Sequence, residues 1–201
     1  MSAVICRKEF SKEIEMKKVV SLFVLFFTIC GLFAADVVMA AENKDAKILI
    51  AYYSYSGNTR KVAEAIHEKI GGDLFEIETV EDYPAEYEVM SLQVKLELAN
   101  NIHPKLKAKV KNMADYDVVF IGSPNWWGNI AAPVSSFMAE NDLKGKKVIP
   151  FITHGKGGVQ NTIKGMKKKC NACEFEQNGW TSYHGRIWGI AGWLEKIGMI
   201  K

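Results

Sequence analysis

Lys47-Ile48-Leu49-Ile50-Ala51-Tyr52-Tyr53-Ser54-Tyr55-Ser56-Gly57-Asn58-Thr59 is the stretch that decides the fold class. From Ile48 to Tyr53 it is apolar and of strand length, as a strand covered on both faces must be. Ser54 to Thr59 has turn chemistry. Behind it Val62, Ile66 and Ile70 recur every four residues before Gly71-Gly72. That spacing predicts a helix to about residue 70, stopped by the glycines. Strand, hydroxyl-rich turn and helix open a βαβ unit, so a parallel sheet is expected.

Further along, Leu74–Glu78 alternates like a second strand, and residues 86–112 read as charged and partly helical, broken at His103-Pro104. Asp117–Ile121 predicts a third strand ending at Gly122, and Pro133 suits the start of the next helix because its missing N–H would be unpaired there. Lys147–Ile152 predicts a fourth strand, followed by a glycine-rich loop and a basic helix over about 160–169. A weak fifth strand falls within 173–181. A last helix over about 187–198 places Ile190, Trp193, Leu194 and Ile197 on one face. The expectation is one α/β domain over 47–201, with a five-stranded parallel sheet and helices on both faces. Ligands of such sheets bind beyond the carboxyl ends of the strands, where strand order reverses. Three loops of unusual chemistry leave those ends, at 54–59, 123–129 and 153–158, and they are expected to converge.

The first loop offers hydroxyls at Ser54, Ser56 and Thr59, an amide at Asn58, the phenol of Tyr55 and a glycine at Gly57. A helix N-terminus behind it supplies free N–H groups and a dipole that favours an anion. It carries no lysine of the nucleotide P-loop kind and no G-x-G-x-x-G fingerprint. An ordinary N-cap with incidental hydroxyls reads equally well from this loop alone. The second loop is Ser123-Pro124-Asn125-Trp126-Trp127-Gly128-Asn129. Neighbouring loop tryptophans cannot both readily face the core, so one is expected at the surface, where a flat aromatic can stack on a ring. The third loop is Thr153-His154-Gly155-Lys156-Gly157-Gly158, whose glycines let backbone N–H groups approach a ligand.

Taken in this order, the motifs resemble the flavodoxin family. The first matches a T/S-x-T/S-G-x-T loop after strand one, the second a G-x-P-x-W-W-G segment of one branch, and the third a T-x-G-G loop after strand four. The resemblance covers about residues 47–158 and fits 159–201 loosely. It implies a flavodoxin-like three-layer sandwich with strand order 2-1-3-4-5, holding FMN. It also implies phosphate ligands at Ser54, Ser56, Gly57, Asn58 and Thr59, with Tyr55 beside them. Ring contacts would come from Ser123, Pro124, Asn125, Trp126, Trp127 and Gly128, and pyrimidine-edge contacts from Thr153, His154, Gly155, Gly157 and Gly158. In that family a glycine-adjacent peptide flips to meet the flavin nitrogen protonated in the one-electron state, and Gly128 is the nearest counterpart. Lys156 departs from the family's small or acidic character there.

The N-terminal residues have another purpose. Met16-Lys17-Lys18, the uncharged run Val19–Phe33 and the small-residue end Val38-Met39-Ala40-Ala41 form a secretory signal pattern. Cleavage is expected after Ala40, leaving 41–46 as a linker, and the mixed-charge residues before Met16 suggest that translation begins there. A retained anchor is disfavoured by Asp36, and a lipoprotein site by Ile29 before Cys30. Residues 1–40 hold five basic groups (Arg7, Lys8, Lys12, Lys17, Lys18) and four acidic ones (Glu9, Glu13, Glu15, Asp36). Taking these from the chain's 26 and 23 leaves 21 and 19. A near-neutral domain gives no argument for nucleic acid. It also departs from the acidic character of typical flavodoxins. Cys170 and Cys173 alone survive cleavage and read as a structural or incidental pair in an oxidising compartment.

No Ser-His-Asp arrangement and no metal-ligand spacing is legible; His67, His103 and His184 are scattered. The resemblance implies an electron carrier that meets redox partner proteins transiently, and the signal pattern makes it exported, periplasmic or extracytoplasmic, with no stable membrane association after cleavage. The alternatives are an FMN-dependent NAD(P)H or quinone oxidoreductase on the same fold, and a module that has lost FMN.

Overall fold

The computed structural model describes residues 46–201. The signal segment 1–40, its cleavage after Ala40, the start at Met16 and all but the last residue of the 41–46 linker lie outside the described residues.

The elements run β1 (Ile48–Tyr52), α1 (Asn58–Ile70), β2 (Asp73–Glu76), α2 (Tyr87–Asn100), β3 (Val118–Trp126), β4 (Asn129–Ile130), α3 (Ala132–Glu140), β5 (Lys147–His154), α4 (Thr162–Lys169), β6 (Glu174–Phe175), β7 (Trp180–Tyr183) and α5 (Ile190–Lys196). A short 3-10 turn occupies Met113–Asp115. The main sheet order is β2-β1-β3-β5-β6, all parallel, with β7 also parallel to β5. With β6 and β7 taken as two pieces of one interrupted fifth strand, this is the expected order 2-1-3-4-5.

Side chains alternate across the central strands because successive Cβ atoms point to opposite faces. Leu49, Ala51, Tyr53, Val119, Ile121, Val148 and Ile152 face one core, shared with Met90 and Val94 of α2, Phe137 of α3 and Met166 of α4. Ile50, Tyr52, Phe120, Ile149 and Phe151 face the other, shared with Val62 and Ile66 of α1 and Trp193 and Leu194 of α5. Each such buried side chain contributes about 1.5–3 kcal/mol, so the sheet interior is the rigid base on which the loops stand.

The structure corrects two expectations. β3 does not end at Gly122. It pairs with β5 as far as Pro124–Thr153, and then Asn125 and Trp126 pair antiparallel with β4. Ser123–Trp126 is therefore strand, because β5 runs on beside Ser123 and Pro124, and β4 pairs with Asn125 and Trp126. The fifth strand, expected as one weak piece in 173–181, is two short segments, and its second part reaches Tyr183. The helix in 86–112 stops at Asn100, before His103-Pro104, with Asn101 left-handed at φ 49°. Cys170 and Cys173 form a disulfide at the end of α4.

Candidate cofactor site

The first loop ends at Gly57, which caps α1 with φ 81°, a left-handed geometry open to glycine. The first N–H groups of a helix have no partner within it. Here the Arg60 N–H donates to Ser54 Oγ at 3.1 Å. The N–H groups of Asn58 and Thr59 have no partner among the described residues. Asn58 Nδ2 donates to Ser56 Oγ at 3.1 Å, and Ser56 is exposed. No carboxylate belongs to the loop. The arrangement is an anion cradle: serine hydroxyls and two free amides at a positive helix end. Thr59 turns inward, 1% exposed, with Oγ1 2.9 Å from Oγ1 of Thr153, itself 4% exposed. Tyr55 turns away from the cradle; its hydroxyl donates to the Pro84 carbonyl at 2.6 Å, with that of Ala85 at 3.1 Å.

The second loop is a hairpin tip. Trp126 pairs with Asn129 across Trp127 and Gly128, which have φ 51° and 79°. Two positive φ values are the signature of a type I′ turn, the two-residue loop whose twist matches a hairpin. The turn separates the tryptophans. Trp126, at the end of β3, is 9% exposed and packs edge-on against Tyr53, Tyr55 and Tyr83 at 5.3, 6.2 and 5.0 Å between ring centroids. Trp127 is 59% exposed; its Nε1 donates to the Ser91 carbonyl at 3.2 Å, and Lys95 Nζ lies 5.5 Å from its ring centroid. Ser123 is buried: its Oγ accepts from the Ala131 N–H at 2.9 Å and donates to the Pro124 carbonyl at 2.8 Å, tying β3 to the start of α3. The Gly128 carbonyl accepts from the Asn161 N–H at 3.2 Å.

The third loop is bonded to the other two. Thr153 meets Thr59 as described. Asn125 Nδ2 donates to the Gly158 carbonyl, and Asn125 Oδ1 accepts from Thr162 Oγ1 at 2.8 Å. The Gly158 N–H closes a turn on the Gly155 carbonyl at 3.2 Å. Gly155, Lys156 and Gly157 are exposed; His154 is half-buried, with Nδ1 2.8 Å from the Gly155 carbonyl. The three loops thus meet at one rim. Between the second and third loops and α2 lies a cleft of about 300 Å³, walled by Met90 and Val94, by Trp126 and Trp127, and by Gly155 and Gly157.

Residues 47–197 match the sequence model of a flavodoxin family. The chain belongs to the flavodoxin family. A provisionally assigned flavoprotein of Bacteroides eggerthii DSM 20697 shares 30% identity and a TM-score of 0.68, over 78% of this chain and all of that one. A flavoprotein of Lactobacillus acidophilus NCFM, solved in complex with FMN, has the same fold, at 24% identity, a TM-score of 0.61, and coverage of 74% and 98%. An NAD(P)H dehydrogenase (quinone) of Caulobacter vibrioides (strain NA1000 / CB15N) is 33% identical over 134 residues, 59% of this chain and 62% of that protein. The chain therefore spans less than two thirds of this relative's length.

The flavodoxin loops account for the cradle and two walls of the cleft. The sequence reading missed the third wall, Tyr87, Met90, Ser91 and Val94 of α2, and Gln160 beside Gly128. It also missed the turn after β7: Gly185 is held against the backbone of Asn58, where an added Cβ would come 2.9 Å from the Asn58 carbonyl oxygen. A larger cavity, about 510 Å³, lies on the β2 side of the first loop and takes only Ser54 and Tyr55 from it. Its wall includes Tyr53 and Tyr83, whose hydroxyls are held far above the usual tyrosine range, first by burial and for Tyr83 also by the bond it donates to Glu97 Oε2 at 2.7 Å. It also takes Arg60 from the first turn of α1, whose guanidinium is already paired with Glu76, whereas the smaller cleft has the exposed indole and the glycine turn that a flat ring needs, with the anion cradle outside its lining.

Proposed function

We propose that this domain binds FMN and passes electrons through it between transient redox partner proteins, after export of the chain. The observation that carries this is the bonded convergence of the loops. Thr59 with Thr153 ties the cradle's loop to the third loop, and Asn125 with Gly158 and Thr162 ties the third loop to the one that carries the exposed indole. The phosphate would be held by the N–H groups of Asn58 and Thr59 and by the hydroxyls of Ser54 and Ser56. The ring would lie against Trp127 and the Gly155–Gly157 backbone. When bound, the flavin supplies the electron chemistry, while the protein supplies binding, orientation and electrostatics. The glycine N–H groups then act as donors beside the ring, and α2 excludes water from one of its sides. Export rests on the signal pattern of residues 16–41.

The test separates phosphate from ring. FMN should raise the melting temperature of the purified protein and lose fluorescence on binding. Ser56→Asp puts a negative charge in the cradle and should weaken FMN by roughly 10–100-fold while leaving riboflavin nearly unchanged. Equal weakening of both, or no binding of FMN, overturns the reading.

A second reading is an FMN-dependent NAD(P)H or quinone oxidoreductase, favoured by the Caulobacter relative's name and identity. Anaerobic mixing of the FMN-loaded protein with NADPH or NADH discriminates. Direct bleaching of the flavin supports the enzyme, and its absence supports the carrier.

A further inference from the structure

α2 is apolar on two opposite faces. Met90, Val94 and the aliphatic part of Glu97 pack inward. On the opposite side Val89, Leu92 and Leu96 are 49%, 61% and 56% exposed. At 100° per residue these three fall within about 60° of one another, a continuous stripe. A helix that is hydrophobic all round is normally covered on both sides. Trp127, packed on Ser91 and Lys95, adds apolar surface along one flank. Applying the exposed fractions to ordinary side-chain areas of roughly 150–250 Å² gives on the order of 400 Å² for these four residues. A patch of that size is comparable with the largest on an ordinary monomer, and such patches are often functional.

We propose that this stripe is the interface of a homodimer, formed by α2 packing antiparallel on α2 of a second copy. Two arguments choose the second copy over another occupant. The first is charge. Glu88 and Lys95 lie on the same flank of the stripe, seven residues apart. A twofold axis perpendicular to the helices, passing near Ser91-Leu92, brings like flanks together with the chain direction reversed. Glu88 then faces the second copy's Lys95, and Lys95 faces its Glu88. A parallel arrangement separates these flanks, so the charges select the antiparallel one. The second is area. A stable interface buries about 800 Å² per partner; the apolar stripe supplies about half of it, and the charged flank supplies the rim. Trp127 also walls the cofactor cleft, so the second copy would border the mouth of that cleft.

The experiment is sedimentation equilibrium of the purified full chain at about 1–100 μM, with and without FMN, so that loss of FMN binding and loss of association are read separately. The expected mass is twice that of one chain. Leu92→Glu with Leu96→Glu should weaken association at least about 100-fold, since two central apolar contacts become buried charges. Both positions are exposed in one copy, so circular dichroism and melting should match the parent. Glu88→Lys alone should weaken association, and adding Lys95→Glu should restore it, because the swapped charges face each other again. A single-chain mass at 100 μM overturns the proposal, whether another part of the chain or another protein covers the stripe. Failure of the charge swap to rescue overturns the antiparallel pairing.

Discussion

The hydroxyl pair Thr59–Thr153 offers a direct test of how the loops are held together. Both side chains are buried, and each has the other as its side-chain partner at 2.9 Å. Thr59→Val preserves shape and removes one hydrogen bond. It also leaves the Thr153 hydroxyl buried without a partner, so the loss should be about 1–3 kcal/mol. Thr153→Val should cost the same for the mirror-image reason. The double substitution removes both polar groups together and leaves no orphan, so it should cost little more than either single change. The coupling would then be about 1–2 kcal/mol. Urea denaturation of the FMN-free protein, analysed by linear extrapolation, measures all three variants. Additivity within about 0.5 kcal/mol would refute the tie, because independent sites add to that precision. The same variants probe the cofactor. A side chain 1% exposed cannot reach a ligand in the cradle, so the double variant should keep its FMN affinity within about threefold. A tenfold loss would show that the Thr59 hydroxyl contacts the phosphate after all.

Two further outcomes follow from buried polar groups. Tyr52, Tyr53, Tyr83 and Tyr116 are all held above the ordinary tyrosine value of 10.0, with burial the largest cause in each; Tyr116, whose hydroxyl donates to Asp73, is pushed up to about 12. A raised folded-state value stabilises the fold fully below pH 10 and is lost as pH rises through the folded value. Denaturation midpoints should therefore fall from about pH 10 upward, and absorbance at 295 nm should show these phenols ionising only as the chain unfolds. Glu97 is buried and accepts from Tyr83 at 2.7 Å and from Gln93 Nε2 at 3.0 Å. Glu97→Leu strands the Tyr83 hydroxyl, while the exposed Gln93 amide turns to water, and should cost about 1–3 kcal/mol; Glu97→Gln keeps an acceptor and should cost about 1 kcal/mol or less in the same urea assay.

The sheet was legible because its strands advertise burial. Ile48–Tyr52 and Val118–Ile121 are unbroken apolar runs too short for a helix and closed by turn residues, which marks a doubly covered strand. The loops were legible as chemistry, but their boundaries were not. Ser123–Trp126 reads as loop because Ser-Pro-Asn has turn composition, yet β5 continues beside Ser123 and Pro124, and β4 pairs with Asn125 and Trp126. The pairing with β5 is tertiary and leaves no local mark. The split of the tryptophans was expected in kind, and the turn decides which of them is exposed. α2 was obscured because its apolar residues lie on opposite faces, which cancels the periodic signal by which an amphipathic helix is read. The turn at Gly185 was missed for another reason: the fifth strand is interrupted, so its carboxyl end, another place where a site residue is expected, could not be located.

Gly128 carries the last prediction. A peptide flip between Trp127 and Gly128 would need the first turn residue to take a backbone region that glycine alone occupies readily, and that residue is a tryptophan. The flip would also disturb the Trp127 carbonyl, which accepts from Asn129 Nδ2 at 3.1 Å, and the indole, which is bonded to Ser91. Each bond is worth about 1 kcal/mol and the backbone cost about 1–3 kcal/mol, so the peptide is held fixed. Any hydrogen-bond response to a change at the ring must then come from the exposed Gly155–Gly157 segment, since Gly158 is bonded through both its N–H and its carbonyl. Gly128→Ala tests this. Alanine at φ 79° costs about 1–2 kcal/mol, and its Cβ displaces only the end of the Gln160 side chain. If the turn is fixed, that cost is the same whatever the redox state of the bound FMN, and the two-electron potential should stay within about 30 mV of the parent. If the turn rearranges on reduction, the alanine penalises one state more than the other, and a larger shift in potential would show it.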